Sequence, residues 1–170
     1  MTGEERMIRD RQYTRIDELR KLVDPLILGI EDKTEMRTAF VHLYGVGLLA
    51  AVFALKRGFS RETAELCEIA GILHDLLTYV RPEEDGPDHA PKCADYAKEY
   101  VLDRMTSLTE EEKELVYNGV KNHSDKRIKG SDFDEIIKDA DLAHHALRNP
   151  AEDRFFDMPR VRTAVGELID

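Results

Sequence analysis

Cysteine is scarce in this chain of 170 residues, and basic side chains are outnumbered by acidic ones. Its two cysteines, Cys67 and Cys93, form no CxxC pair, which indicates buried free thiols in a reducing compartment rather than a disulfide framework. Lysine and arginine number 25 against 35 acidic residues, which gives a formal net charge of -10. Because no broad basic face is available to release counterions, binding to duplex nucleic acid is not expected.

Signals for secretion or membrane insertion are also missing. The first residues are charged and no apolar stretch follows them, so no signal peptide is predicted. The longest apolar run, residues 39–55, contains His42 and two glycines and lies at the lower limit of membrane-spanning length. Because the neighbouring segments are amphipathic and charged, we predict a buried core helix in a cytoplasmic protein that has no membrane partner.

Strand-like alternation, internal repeats and flexible linkers are absent as well, and apolar residues recur at helical spacings of three and four. The sequence therefore predicts one all-α domain of six or seven helices. We expect an N-terminal helical arm at about residues 1–31 and a core at about residues 32–148. A final helix is expected at about residues 149–170, kinked or split by Pro159.

Capping signals predict where individual helices begin. Ser60 can cap a helix whose apolar stripe continues to the Arg-Pro pair at residues 81–82. Thr109 and Glu112 have the spacing of a capping box. The Asn-Pro pair at residues 149–150 is typical of the start of the final helix.

Four ionisable residues lie inside apolar segments: His42, His74, Asp75 and Asp141. A buried carboxylate needs a partner or a cation, and imidazole is the commonest metal ligand in proteins. Any one of these residues alone is more typical of a satisfied core residue. Together, on three separate helices, they indicate a metal site in the core of a helical bundle. The mixed nitrogen and oxygen ligands suit Mn, Fe, Co, Ni or Zn, and one ion is expected.

The order of His42, His74, Asp75 and Asp141 resembles the HD superfamily of metal-dependent phosphohydrolases, which is named for its adjacent His and Asp. The resemblance covers about residues 38–148. It implies that these four residues hold a divalent metal, with positions left open for water and substrate.

The last ligand of that set has a rival two residues away, Asp139. On a helix the two carboxylates point about 200° apart, so only one of them is expected to reach the ion. We favour Asp141 because the family's ligand usually follows a small residue, here Ala140.

Two further histidines, His89 and His123, fall between the central pair and Asp141. Some HD relatives have two histidines in this interval, which bind a second metal bridged by the central aspartate. The resemblance thus makes a two-metal centre possible, able to act on both sides of a phosphoryl displacement. Alternatively, both histidines are solvated or capping residues at helix ends, or they contact the substrate without metal.

One position departs from the family pattern. Many HD phosphohydrolases have a Lys or Glu three residues after the central Asp, where this chain has Thr78. This departure weakens a mechanism of the nucleoside-monophosphatase or alarmone-hydrolase type. We predict that Lys121, Lys126 and His145 bind the substrate, with Arg81 as another source of positive charge.

The predicted function is hydrolysis of a phosphate ester or anhydride on a small, nucleotide-like metabolite. Asp75 would orient the attacking hydroxide, and His89 or His123, if not bound to metal, could protonate the leaving group. Two alternatives remain open, a di-iron oxygenase of the HD type and a nucleotide-sensing domain without catalysis. The first would be coloured and need dioxygen, and the second would bind a nucleotide without forming product. A homodimer is also possible.

Overall fold

Helices make up the architecture of the chain. The computed structural model describes residues 15–149 and 153–169. In this part of the chain the α-helices are α1 (Arg15–Leu28), α2 (Lys33–Lys56), α3 (Arg61–Leu73), α4 (Leu76–Val80), α5 (His89–Tyr100), α6 (Glu110–Asn122), α7 (Asp132–Arg148) and α8 (Pro159–Ile169). Seven of these helices have eleven residues or more, whereas α4 has five. The prediction of an all-α fold with six or seven helices is confirmed.

Helix α2 is the longest and most apolar of them. By length and composition alone it could cross a membrane, because its most apolar 18-residue window has a mean hydropathy of 1.9. Nevertheless, 44% of that window is buried inside the structure, where α2 packs along α3 and α7. This packing agrees with the core helix that the sequence predicted.

Two glycines allow α2 and α3 to approach closely. A Cβ atom added to Gly71 would lie 2.7 Å from Cα of Gly47. Interiors are packed too densely to absorb such a contact, so the missing side chains determine how near the helices come. The approach brings His42, on α2, close to the end of α3.

Helix α3 ends just before His74 and Asp75, and the predicted continuation to the Arg-Pro pair is wrong. The helix stops at Leu73, and α4 begins at Leu76. Between them Asp75 has φ -121° and ψ 21°, outside the helical conformation. The carbonyl of Gly71 accepts a 2.7 Å hydrogen bond from Nδ1 of His74. The interruption therefore sets the direction of the Asp75 side chain independently of the helical turn that ends at Leu73.

The final helix also differs from the prediction. Asn149 follows the last residue of α7, residues 150–152 lie outside the described residues, and α8 begins at Pro159. Pro159 is thus the first residue of the helix, where a missing N–H costs little. A short 3-10 helix, Asp153–Phe155, precedes it, so Pro159 does not kink a continuous helix but begins a separate one, which is the split that was the other predicted outcome. Helix α8 packs on α7 and buries Val161 and Ala164.

The predicted N-terminal arm contributes to the main core. Leu19, Val23 and Ile27 of α1 are fully buried in the same apolar cluster as the facing sides of α2 to α7. Residues 1–14 of the predicted arm lie outside the described residues. Within the described chain, α1 is therefore part of the packed domain and helps to support the helices around the site.

Candidate metal centre

Histidine and aspartate side chains from five helices converge at one place. The contributing residues are His42 on α2, His74 and Asp75 after α3, His89 at the start of α5, His123 after α6, and Asp141 and His145 on α7. The side chains of His42 and His123 are 1% and 2% exposed, whereas those of His89 and His145 are 30% and 26% exposed. The cluster therefore has a buried floor and a rim open to solvent.

The first group of potential ligands surrounds Asp141. Its Oδ1 atom lies 3.5 Å from Nε2 of both His42 and His74, and 3.3 Å from Nε2 of His145. Oδ2 of Asp75 lies 3.3 Å from Nε2 of His74 and 4.0 Å from Nε2 of His42. We define His42, His74, Asp75 and Asp141 as the first group, and it contains the four residues that the sequence predicted.

The second group lies on the other side of Asp75. Its Oδ1 atom is 3.2 Å from Nε2 of His123 and 3.5 Å from Nε2 of His89. The two imidazole Nε2 atoms are themselves 3.3 Å apart. We define Asp75, His89 and His123 as the second group. The two oxygens of Asp75 thus face different pairs of histidines.

Several of these atoms are buried and lack a hydrogen-bond partner. Among the described residues they include Nε2 of His42 and His74, and Oδ1 of Asp75 and Asp141. A buried polar atom without a partner costs about 1–3 kcal/mol. The cluster contains three sets of three residues whose potential ligand atoms all lie within 4.8 Å of one another. Unpartnered nitrogens and carboxylate oxygens pointing at one another fit a divalent cation, which would satisfy all of them.

Two of the imidazoles are oriented by the ends of their own helices. His74 and His123 each follow the last residue of a helix. Nδ1 of His74 donates to the carbonyl of Gly71 at 2.7 Å, and Nδ1 of His123 donates to that of Val120 at 2.6 Å. Because Nδ1 is used in this bond, Nε2 of each ring points into the cluster, as second-layer hydrogen bonds usually arrange for metal ligands. A bound ion would displace the proton that the neighbouring carboxylates favour on Nε2 of His74.

The carboxylates at the centre are ionised. Burial raises the pKa of Asp75, but His74 and His123 outweigh burial and hold it well below its usual range. Burial likewise raises the pKa of Asp141, and Lys126 with the neighbouring histidines hold it low. Burial lowers the pKa of His74, yet the two carboxylates raise it to about 10. The same pair of negative charges would attract a divalent cation.

His144 supports the first group and was not assigned to it from the sequence. Its Nδ1 lies 3.0 Å from Nδ1 of His42. Burial lowers the pKa of His42 to about 2 and that of His144 to about 4, so both rings are neutral near pH 7. When Nε2 of His42 binds metal, its Nδ1–H can donate to His144. The position of His144 one turn after Asp141 could have revealed this role.

Gly45 provides the space for that ring, since an added Cβ would lie 2.1 Å from Nε2 of His144. We expect Gly45→Ala to displace His144 and to weaken metal binding in the first group by about 10–100-fold, the usual effect of losing a supporting hydrogen bond. Competition with a chromophoric chelator would measure this affinity.

Gly166→Ala is the matched control, because Gly166 is also helical and an added Cβ there would meet nothing within 4 Å. It should leave metal affinity unchanged and raise stability by up to about 1 kcal/mol through helix propensity. A Gly45→Ala protein with the affinity of the unmodified chain would show that His144 does not orient His42.

Of the two lysines that were predicted to bind substrate, only Lys126 reaches the cluster. Nζ of Lys126 donates to Oδ2 of Asp141 at 2.7 Å and to the carbonyl of His123 at 2.6 Å. Lys121 instead lies over the ring of Tyr117, 5.9 Å from its centroid. Positions 121 and 123 point about 200° apart on a helix, which explains why the structure does not bring Lys121 to the cluster.

Arg81, the other predicted source of positive charge, and Thr78, the departure from the family pattern, have their described contacts outside the cluster. Arg81 donates to Glu84 and to the hydroxyl of Tyr100. Thr78, at the position where many relatives have a charged residue, lies 3.7 Å from Sγ of Cys93. Arg81 therefore brings no positive charge to the cluster through its described contacts, and Thr78 is uncharged.

Asp139, the rival of Asp141, has a different role. One of its oxygens accepts from Arg57 at 2.7 Å and the other accepts from Arg160. Its carboxylate is neutralised by two arginines on the far side of α7, which leaves Asp141 as the aspartate of α7 in the cluster.

Arg148 and Tyr79 are near the rim and were missed by sequence reasoning. Nη2 of Arg148 lies 3.5 Å from Nδ1 of His145, and the ring of Tyr79 is centred 6.0 Å from that of His42. Burial raises the pKa of Tyr79 to about 12, so its hydroxyl stays protonated. No local pattern separates these residues from ordinary surface side chains.

Comparison with known proteins agrees with this geometry. A model of the HD domain matches residues 39–146, a span that contains every member of both groups. HD domains bind divalent metals, and most members of the family are metal-dependent phosphohydrolases. No curated protein and no solved structure matches the chain. Since the matched span is well over half of its 170 residues, the chain belongs to the HD domain family.

Proposed function

We propose that this protein hydrolyses a phosphate ester or anhydride on a small, nucleotide-like metabolite with the help of two divalent transition-metal ions. One observation carries the proposal: Oδ2 of Asp75 faces His42 and His74, whereas Oδ1 faces His89 and His123. A carboxylate shared in this way is typical of two-metal sites that act on phosphoryl groups.

The residues suited to hold the ions are the two groups defined above. The first group would hold one ion and the second group the other, with Asp75 as the common ligand. Mn, Fe, Co, Ni and Zn all accept such mixed imidazole and carboxylate ligands. When bound, such ions would lower the pKa of a coordinated water and polarise the phosphoryl oxygens.

The surrounding side chains would bind and orient the phosphoryl group. Lys126 has three N–H donors and uses two of them on Asp141 and the carbonyl of His123, which leaves one for a phosphoryl oxygen. His145 lies 3.3 Å from the other oxygen of Asp141, and the guanidinium of Arg148 lies 3.5 Å from His145 on the rim. This local positive charge would attract an anionic substrate despite the net charge of -10.

Assays of the purified protein test the proposal. The protein, loaded with each of the five metals in turn, would be incubated with nucleoside mono-, di- and triphosphates, sugar phosphates and p-nitrophenyl phosphate. We expect phosphate or nucleotide products with at least one metal and substrate. Asp141→Asn should abolish turnover because it removes a ligand, whereas Asp95→Asn, which loses only a bond from Tyr117, should not.

Two other results would contradict hydrolysis. Nucleotide binding without product under any metal would favour the sensory alternative. Turnover that requires dioxygen, in a coloured iron-containing protein, would favour the oxygenase. The cytoplasmic location and the homodimer stay predictions, although both cysteines are buried and free as a reducing compartment requires.

A further inference from the structure

We infer that Arg160, on the C-terminal helix α8, is a positioning residue that holds Lys126 at the metal centre. Helix α8 lies entirely outside the matched residues 39–146. The expected consequence, weaker phosphate binding, rests on the proposed function. The placement of Lys126 by Arg160 can be measured independently of it. Arg160 would act through Lys126 without touching substrate.

The first contact is direct. Lys126 is in the loop of residues 123–131 that connects α6 to α7. Nη1 of Arg160 donates to the backbone carbonyl of Lys126 at 3.3 Å. The same lysine reaches Asp141 through Nζ. Arg160 therefore holds the backbone of the residue whose side chain lies at the cluster.

The second contact acts on the same loop through Glu135. Nη2 of Arg160 lies 2.8 Å from Oε2 of Glu135, and Oε1 of Glu135 accepts from the backbone N–H of Gly130 at 2.9 Å. Nζ of Lys138, which is buried, donates to Oε1 of Glu135 and to the carbonyl of Ile128. The loop is thus fixed on both sides of its tip by charged side chains.

The direction of the Arg160 side chain is itself fixed. Its Nε donates to Oδ1 of Asp139, whose other oxygen accepts from Arg57. Arg57 also pairs with Glu167 of α8, but no described contact joins Arg57 to the loop. Arg57 and Arg160 therefore share one ion-pair cluster and differ in their relation to Lys126.

The segment before α8 makes a second contact with the rim of the cluster, through Phe155. The ring of Phe155 stacks on His145 with centroids 5.0 Å apart and an angle of 9° between the planes. None of the described contacts of Arg160 or Phe155 is with a member of either ligand group. The C-terminal segment thus contacts the two residues proposed to face substrate and leaves the proposed metal ligands to the matched domain.

The test compares three variants of the full chain. Arg160→Lys keeps the positive charge for Asp139 but lacks the planar fork that reaches the loop. Arg160→Gln removes the charge as well. Arg57→Gln is the matched control, because it damages the same ion-pair cluster without losing a contact to Lys126. Metal content and thermal melting would show that each variant is folded and loaded.

Two readouts apply to each variant. The rate of modification of Lys126 by an amine-reactive reagent, followed by peptide mass spectrometry, reports its placement, with the exposed Lys121 as internal reference. Titration of the manganese-loaded protein with inorganic phosphate reports the consequence. In both Arg160 variants we expect faster modification of Lys126 and about tenfold weaker phosphate binding, the effect of one charge-assisted hydrogen bond. Arg57→Gln should stay within about twofold of the unmodified chain.

Contrary outcomes are distinguishable. Unchanged modification of Lys126 in Arg160→Lys, or equal acceleration in Arg57→Gln, would overturn the positioning role. If the unmodified, metal-loaded protein does not bind phosphate, the proposed function loses its phosphate site, and the modification rates still decide whether Arg160 positions Lys126.

Discussion

Asp75→Asn is expected to abolish both metal binding and turnover. Asparagine has the shape of aspartate but no charge, and it would replace one of the two shared oxygens by an N–H donor. The histidines of both groups would then lack their common anion. We expect fewer than one ion per chain by elemental analysis. Loss of several kcal/mol of transition-state stabilisation corresponds to a fall in turnover of about 10³-fold or more.

Two further variants make this result specific. His89→Ala alters only the second group, so it should remove one ion and keep the other. Asp103→Asn removes an exposed carboxylate that pairs with Lys98 and should change neither metal content nor turnover. An Asp75→Asn protein that retains two ions and full turnover would disprove the bridging role of Asp75.

Removal of metal by a chelator is expected to lower the melting temperature by about 10 °C. An ion present at about a thousand times its dissociation constant stabilises the folded chain by about 4 kcal/mol. For a chain of this size each kcal/mol corresponds to about 2–4 °C. The physical reason is the pair of ionised carboxylates, Asp75 and Asp141, together with the buried ligand atoms that have no other partner.

Scanning calorimetry or fluorescence melting with and without chelator measures this shift. Asp75→Asn serves as the control, since a protein that cannot bind the ions should not respond to the chelator. If the unmodified chain, shown by elemental analysis to have lost its metal, melted at the same temperature as the loaded chain, the ions would contribute nothing to stability. The site would then be organised by the helices alone.

Local signals in the sequence were sufficient for much of the secondary structure. The capping box of Thr109 and Glu112 was predicted, and both of its hydrogen bonds form at the start of α6. Ser60 was likewise predicted to cap a helix, and its side chain accepts from the backbone N–H of Thr63 in the first turn of α3. A polar cap and the apolar repeat that follows it both depend on residues that are close together in the sequence. Such elements need no knowledge of the rest of the fold.

The interruption between α3 and α4 was not predictable in the same way. Apolar residues continue at helical spacing through the break, from Leu73 to Leu76 and Leu77. At the break the ring of His74 donates to the carbonyl of Gly71. A side chain that competes for a backbone carbonyl leaves no trace in hydrophobic periodicity. The consequence, a redirected Asp75, is the feature on which the proposed two-ion arrangement depends.

Long-range contacts explain the remaining differences. The sequence could separate Asp139 from Asp141 only by family resemblance, whereas the structure separates them through Arg57 and Arg160, which are 82 and 21 residues away from Asp139. Asn149 and the proline after it look like the start of a helix. Instead Asn149 ends α7, and the buried side chains of α8 begin with Val161. Tertiary packing decides such cases.

The imidazoles after α3 and α6 are oriented by their own helices, and this has a mechanical consequence. If either helix slides or tilts slightly, His74 or His123 moves together with the carbonyl that aligns it, so the angle between ring and helix is preserved. His42 differs, because its Nδ1 faces His144 on a neighbouring helix. Relative motion of α2 and α7 would therefore misalign the imidazole of His42 and spare those of His74 and His123. An ion held by the first group would then be more sensitive to deformation of the bundle than one held by the second group.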